Sequence, residues 1–564
     1  MLNRTDSRTG SHGYAVLYAG FSLLLFFLLY TLRSLDDSRF TSWHDVFGVA
    51  GLLKTGIALV AAFVLAFAAA RLDFIGRRPA AVLFVLSFTL SACFWQEPEM
   101  IVDAARYITQ AKHLELYGLR YFFSEWGAGI NAWTDLPAVP FFYGLIFRAF
   151  GEGRVFVQIF TSLLFSCAVV LTYLTGKELW GKESGVNAGL FLLGIPYLYT
   201  QVPLMLVDVP SMFFLMLSVY AFLLALKKGG MMVPLSGLSI CIAFFTKYST
   251  WLMLTVLPVI FATELYRNRK QGLDRFALRG MIVFFVSFFM ISVLIAFHHD
   301  VMMKQIHLLL SYQWPGLQRW GESLLSTCLF QLHPAIPLLA VVSMYAAIRK
   351  RDHAFIIVVW LVLLMLVLQI RRIRYIIMAF PMLSLMASYG LSIIRDRMLV
   401  RFVPLSAAAF SFAVAFAAFL PFLQSTSPAN IRDAARYLDT LDIQTAHVFT
   451  PLPEGYVMNP SVSVPLLDLF TEKAIRYDYH EAEYPPPEDL ETSPFRFTWT
   501  YRNPAYYQGS EMTAAKKAVV IVTDSREERI PEPVRREIES YSHRRTFAVS
   551  DDAYRHQTLI TVYH

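Results

Sequence analysis

Long apolar runs separated by short polar and basic stretches set the pattern of this chain. Runs of 18 or more apolar residues read as helices that cross a bilayer, because only a helix satisfies its own backbone groups in hydrocarbon. The expected spans are 13–32, 47–70, 79–95, 154–175, 184–200, 206–226, 232–247, 249–265, 280–298, 323–346, 354–370, 375–393 and 402–422. That makes about thirteen helices. The pair around 232–265 is open to merging or to forming a re-entrant hairpin. Two stretches fall outside the pattern: the loop 96–153 and the tail 423–564. In the tail, "PANIRDAARYLDTL" and "PEPVRREIESY" read as helices, "KKAVVIVTD" and "QTLITVY" as strands, and "EAEYPPPEDLETSP" as a loop. The expected architecture is an all-α polytopic bundle over residues 1–422, loop included, followed by a small α/β domain over 423–564.

Composition agrees. Hydrophobic residues make up 56% of the 564, charged residues only 16%, and mean hydropathy is +0.48. A soluble helical core does not need so many segments that are apolar all round. The basic clusters orient the bundle: Arg71/Arg77/Arg78, Lys177/Lys182, Lys227/Lys228, Arg267/Arg269/Lys270/Arg275/Arg279, Arg349/Lys350/Arg351 and Arg395/Arg397/Arg401. With the N-terminus inside, all of them fall on the cytoplasmic side, as the positive-inside rule requires. The loop and the tail then lie outside, on a multi-pass protein of the inner (plasma) membrane with a periplasmic tail. The net charge of +7 reports these loops and not nucleic-acid binding. Cys93, Cys167, Cys241 and Cys328 sit in apolar runs without metal-ligand or disulfide spacing. The basic start before the first run resembles a signal peptide, but no small-residue cleavage site follows, so the run reads as a retained span.

Against this background "DAARYITQAKHL", residues 103–114, stands out. Asp103, Arg106, Tyr107, Gln110 and Ala111 share one face of a helix that starts just outside the third span. Such a carboxylate serves as a general base if a substrate hydroxyl reaches it; it serves equally as a helix-dipole partner on a solvated loop. Glu97, Glu99 and Asp135 are alternative bases on the same loop. Further ionisable residues fall near the outer ends of spans: Asp208, Lys247 and the cluster Arg371, Arg372 and Arg374. Residues of this kind are costly beside a membrane and tend to line functional cavities; an arginine cluster also anchors helix ends by snorkelling. His298 and His299 lack a third ligand at metal spacing.

The stretch at Asp103 resembles the pattern Asp-Glu-x-x-Tyr-x-x-x-Ala in the first external loop of the polyprenyl-phosphate-sugar-dependent GT-C glycosyltransferases, the protein mannosyltransferase and aminoarabinose-transferase-like group. Asp103, Tyr107 and Ala111 fill the pattern, and Ala104 replaces its Glu. "TDLPAVPFFYGLIFRAFGEGRVFVQIFTSLLF" is similar to the group's Pro-Pro stretch, with Pro137 and Pro140 spaced apart. Asp208-Val209-Pro210 matches an Asp-x-Pro at the outer end of a span. "FFTKYSTWLMLTVLP" keeps Lys247, and "RRIRYIIMAFPMLSLMA" keeps Arg374, Tyr375 and Pro381. The likeness covers most of residues 79–393.

The resemblance implies an inverting glycosyltransferase that moves a sugar from a polyprenyl-phosphate carrier to an acceptor on the external face. Asp103 would be the catalytic base. Tyr107, Asp208, Lys247, Arg371, Arg372 and Arg374 would bind substrate, the cations meeting the charge on the departing phosphate. Partners would be the lipid-linked donor, membrane lipids and an acceptor that is a protein, lipid A or a glycan. No organic cofactor is indicated, and Asp208 is suited to positioning the acceptor, to pairing with an arginine or to holding a divalent cation. A transporter or flippase of lipid-linked sugars is the rival reading, and a scaffold a second; the inverted repeats and matched broken helices of transporters are not evident.

Overall fold

The computed structural model describes residues 3–564 except 73, 270–272, 317–320, 452–456, 479–489, 492, 509–516, 524–529, 531 and 555. Lys270 and most of the expected loop 481–494 lie outside the described residues.

A helical bundle is followed by a small sheet domain. By length and composition, eight helices suffice to cross a membrane: His12–Thr31, Leu52–Arg71, Arg154–Trp180, Asp208–Lys228, Tyr248–Arg267, Asp274–Phe297, Ile373–Ile393 and Arg397–Gln424. The bent pair Leu324–Gln331 and Ala335–Lys350 makes a ninth if it counts as one span. The other expected spans fall on shorter helices: Pro79–Ala92, Lys182–Leu193, Met232–Phe244 and Phe355–Val367. Among the described residues, length and composition alone therefore support eight or nine crossings. Breaks account for the difference. One helix ends at Leu193 and Pro196 starts the next, and in the break between them the Gly194 carbonyl accepts from Ser411 Oγ at 2.9 Å.

Between the helices Arg154–Trp180 and Lys182–Leu193 stands Gly181 alone, at φ +96°. That left-handed conformation costs a glycine nothing and turns the chain straight back. The two helices pack closely. A methyl group on Gly185 would lie 2.3 Å from the Tyr173 carbonyl oxygen, so only a glycine permits the approach.

Helix directions give the bundle two chemically distinct ends. Arg154 donates to the Pro203 carbonyl and pairs with Glu99, so the starts of the Arg154 and Asp208 helices share an end with the loop after Pro79–Ala92. At the opposite end Lys227 pairs with Glu178 at 2.9 Å and Lys182 donates to the Gly76 carbonyl at 2.6 Å.

Beyond Gln424 five strands form one sheet: β1 (Thr445–Phe449), β2 (Ala474–Arg476), β3 (Lys517–Thr523), β4 (Arg544–Phe547) and β5 (Leu559–Tyr563), in the order β2-β1-β3-β5-β4. The first three run parallel, while β5 is antiparallel to both β3 and β4. β3 reads "KAVVIVT" because it lies at the centre and is buried on both faces. The helix Ala429–Thr440 packs on β5 and faces the bundle, where Arg432 donates to the Gln96 carbonyl at 2.7 Å. Residues of Ser463–Phe470 dock on Ala104–Ser124 through Lys112, which lies between Asp468 and Glu152. This contact fixes the sheet domain to the helix that carries the sequence's most conspicuous motif.

Candidate active site

Asp103 occupies the position just before the helix Ala104–Ser124, yet its side chain makes no capping bond there. The dipole-partner reading therefore does not describe what this carboxylate does. It turns inward, where Oδ2 accepts from Arg374 Nη1 at 2.7 Å. The same guanidinium donates through Nη2 to Asp208 Oδ2 at 3.0 Å. Lys247 Nζ completes the group, 2.6 Å from Asp208 Oδ1. One arginine thus bridges two carboxylates with its planar fork, and a lysine shares one of them.

Local backbone explains each placement. Asp208 opens its helix and is 1% exposed. Lys247 sits in the break between Met232–Phe244 and Tyr248–Met253, in extended conformation, which swings its side chain out of the helical line. Arg374 follows a turn in which Gln369 adopts φ +52° and Arg372 is extended. A carboxylate from a distant segment, Glu322, accepts from the Ile373 N–H at 3.1 Å and fixes where the next helix starts.

Asp103, Lys247 and Arg374 line the head of a cavity of about 530 Å³, while the buried Asp208 is not part of the lining. Its floor is polar: Asp103, Arg106, Tyr107, Asp135, Lys247, Arg372 and Arg374. Its walls are apolar and aromatic, among them Trp251, Leu252, Met253, Leu309, Trp314 and Leu368. Pro494 and Phe497, from the segment between β2 and β3, close one side.

Arg106 is the member that sequence reasoning placed on the right face without assigning it a role. Its guanidinium lies 4.6 Å from the Phe497 ring centroid and 4.9 Å from that of Trp133. It reaches Asp135 at 3.2 Å and Asp103 at 3.8 Å. Trp133 adopts φ +43°, a left-handed conformation costing of order 1–3 kcal/mol for a bulky residue, which the surrounding contacts must hold. Its spacing from Arg106 gives no periodic signal, and Phe497 is nearly 400 residues away in sequence, so neither was legible as a partner.

The two loop carboxylates are tuned in opposite directions. Burial pushes Asp103 up, but Arg374, Arg106 and Arg372 outweigh it and hold the carboxyl well below its ordinary range. At Asp135 burial prevails over Arg106 and the Gln110 hydrogen bond, and the carboxyl is raised. Access separates them further. The Asp103 side chain keeps 24% of its surface open to the cavity, against 6% for Asp135.

The other expected residues divide. Tyr107 is buried and lines the cavity, with Arg106 5.6 Å from its ring centroid. Arg372 is buried against Phe40 and Tyr375 and also lines it. Arg371 is exposed, lies near Gln369 and is not part of the lining. Glu97 and Glu99 are buried beside Arg154, away from the cavity wall. His298 and His299 stand outside it, His299 beside the exposed Asp300. Among the described residues no group of three or more His, Cys, Asp or Glu side chains is arranged to hold a metal ion. Both carboxylates bridged by Arg374, Asp103 and Asp208, are already engaged by cations.

Residues 135–295 match the family described as dolichyl-phosphate-mannose-protein mannosyltransferase. That segment contains Asp135, Asp208 and Lys247. Among solved structures, ArnT from Cupriavidus metallidurans bound to undecaprenyl phosphate is similar over 86% of this chain and 97% of its own, at 13% identity and a TM-score of 0.50. The archaeal oligosaccharyltransferase AglB from Archaeoglobus fulgidus, in complex with an inhibitory peptide and a dolichol-phosphate, aligns over 79% of this chain and 70% of its own, at 11% identity and a TM-score of 0.49. No curated protein matches the sequence. The fold is thus the one seen in ArnT, almost end to end.

Proposed function

We propose that the chain is a membrane glycosyltransferase of the GT-C class, like the polyprenyl-phosphate-sugar-dependent mannosyltransferases, and that it transfers one sugar from a polyprenyl-phosphate carrier to an acceptor hydroxyl or amine on the external face of the membrane, with inversion, Asp103 acting as base. The observation that carries this reading is the Arg374 bridge between Asp103 and Asp208 at the polar head of an otherwise apolar cavity.

The chemistry follows from charge. A carboxylate locked to an arginine is a weak base. A phosphate anion entering the cavity competes for the same guanidinium, and Arg groups favour phosphate by two parallel hydrogen bonds. As Arg374 turns toward the donor phosphate, Asp103 loses its closest cation and its proton affinity rises. The base is thereby activated only when the donor is bound. The acceptor, deprotonated by Asp103, attacks the anomeric carbon from the face opposite the phosphate. The glycosidic C–O bond breaks, and Arg374, Arg372 and Lys247 take up the charge left on the polyprenyl phosphate. The apolar walls hold the prenyl chain. The segment at Phe497 borders the side from which the acceptor enters.

The test uses the purified full-length protein in nanodiscs with a panel of polyprenyl-phosphate sugars. Release of polyprenyl phosphate is the readout. The wild type is expected to cleave at least one donor. Asp103→Asn is expected to bind that donor and lose turnover by a factor of about 10²–10⁴, the usual contribution of a positioned base. Undiminished turnover in Asp103→Asn overturns the base assignment. Donor crossing a liposome with no bond cleaved would instead favour the transporter.

A further inference from the structure

A second cavity, of about 390 Å³, lies at the basic end of the bundle. Three helices that are distant in sequence build it. Leu52–Arg71 supplies Ala69 and Ala70, Lys182–Leu193 supplies Lys182, Asn187 and Leu190, and Arg397–Val414 supplies Arg397, Arg401 and Leu405. Gly76 and Ile75 form its rim. Nothing in the proposed transfer reaction uses it, since the catalytic groups stand at the other end.

We propose that this cavity binds the phosphate of an anionic glycerophospholipid from the cytoplasmic leaflet. The cations come first. Arg397 and Arg401 are one helical turn apart and so present their guanidinium groups side by side. Lys182 faces them from the neighbouring helix; one of its protons is used on the Gly76 carbonyl. Glu183 is the one acidic side chain in the described lining, so the site carries a positive excess. Arg397 makes no ion pair with any described residue. The start of its helix is not itself the anion site, because Asp396 already caps it by accepting from the N–H groups of Met398 and Leu399.

Asn187 adds a neutral donor to the cations. It is 4% exposed and shares the cavity lining with Lys182, and its side-chain amide carries two N–H groups. A phosphate oxygen held between the arginines would accept from it.

The apolar half of the cavity argues for a lipid over a soluble anion. Leu190 and Leu405 lie further along their helices than Lys182 and Arg401, Ala69 and Ala70 add apolar lining, and the helix Leu52–Arg71 is mostly unburied, leaving Val64, Leu65 and Leu72 exposed. A headgroup seated on the arginines can therefore run its acyl chains along a face that already meets lipid. Basic pockets between transmembrane helices on the cytoplasmic side recognise such headgroups.

Native mass spectrometry of the full-length protein, released from detergent with defined lipids, tests this directly. Phosphatidylglycerol is expected to be retained at least tenfold more than phosphatidylcholine of the same chains. The double variant Arg397→Gln/Arg401→Gln is expected to lose that preference, and Asn187→Ala to weaken retention severalfold. Arg374→Gln is expected to leave retention unchanged, which separates this cavity from the catalytic one. Equal retention by the double variant overturns the proposal. So does glycerol 3-phosphate competing as well as the whole lipid, which would identify a soluble phosphate as the ligand.

Discussion

Replacing Arg374 with Gln removes the group on which the site is centred. In the unliganded protein its guanidinium makes two charge-assisted hydrogen bonds, at 2.7 Å to Asp103 and 3.0 Å to Asp208, with only 6% of its side chain exposed. Bonds of this kind contribute roughly 1.5–3 kcal/mol each. Asp208 retains Lys247 at 2.6 Å, so most of the loss falls on Asp103, whose nearest other ion-pair partner, Arg106, is 3.8 Å away. A net destabilisation of about 3 kcal/mol follows, at the low end for breaking a buried pair. Its pH dependence has a definite sign. Arg374 helps to hold Asp103 below its unfolded value, so the carboxylate contributes stability that is complete above about pH 4, the unfolded carboxyl range, and is lost as the pH falls through the folded value. Without Arg374 that contribution shrinks. The gap between variant and wild type should be widest near neutrality and close progressively below about pH 4. Denaturant titration in detergent at a series of pH values measures the gap. Turnover should fall about 10²–10³-fold, as when one donor to a developing anion is removed. Arg374→Lys should recover only part of either loss, since an ammonium cannot span two carboxylates as a fork does. A Gln variant within 0.5 kcal/mol of wild type, flat across pH and turning over normally, would refute the account.

Three further outcomes follow from other contacts. Phe497→Ala removes the nearest of the three rings beside Arg106; a cation–π contact of about 0.5–2 kcal/mol corresponds to a roughly 2–30-fold rise in acceptor KM with donor binding unchanged, measured by steady-state kinetics. At Glu152, burial and the nearby Asp468 raise the carboxyl against the pull of Lys112, so its contribution to docking of the sheet domain is full below about pH 4.5 and declines as the pH rises. Protection of the Ser463–Phe470 amides, taken relative to intrinsic exchange at each pH, should fall as the pH rises in the wild type and stay level in Glu152→Gln. Gly185→Ala places a methyl 2.3 Å from the Tyr173 carbonyl and should cost about 1–3 kcal/mol, read as a lower midpoint of thermal unfolding in detergent.

How much of this was legible in the sequence varied with the kind of signal. Apolar runs located the helices because burial in lipid demands them, but not their number of crossings: a break such as that at Gly194–Pro196 depends on Ser411, more than 200 residues on, to satisfy a carbonyl. β3 and β5 stood out as unbroken β-branched runs. β2, three residues long, and β4, exposed at the sheet edge, carry too little pattern to be read. In the candidate site, Asp103, Asp208, Lys247 and Arg374 drew attention as charges beside apolar runs, and they meet in one cluster. Arg371 has the same sequence signal as Arg374, yet the extended backbone at Arg372 turns the two to different sides. The hold on Arg106 by Trp133 and Phe497 was beyond reach, because an aromatic residue in an aromatic-rich chain announces nothing until its neighbour is known.

The charge cluster also has an order of arrival. Asp208 meets Lys247 after 39 residues of further chain, but Arg374 joins it only after 166 and reaches Asp103 after 271. On a ribosome delivering the chain to the membrane from its N-terminus, the Asp208–Lys247 pair can neutralise itself while most later helices are still unmade. Asp103 has no such early companion except Arg106, on its own loop. The Asp103 carboxylate therefore waits for Arg374 until nearly two thirds of the protein has been synthesised, and the charge cluster is completed in one late step.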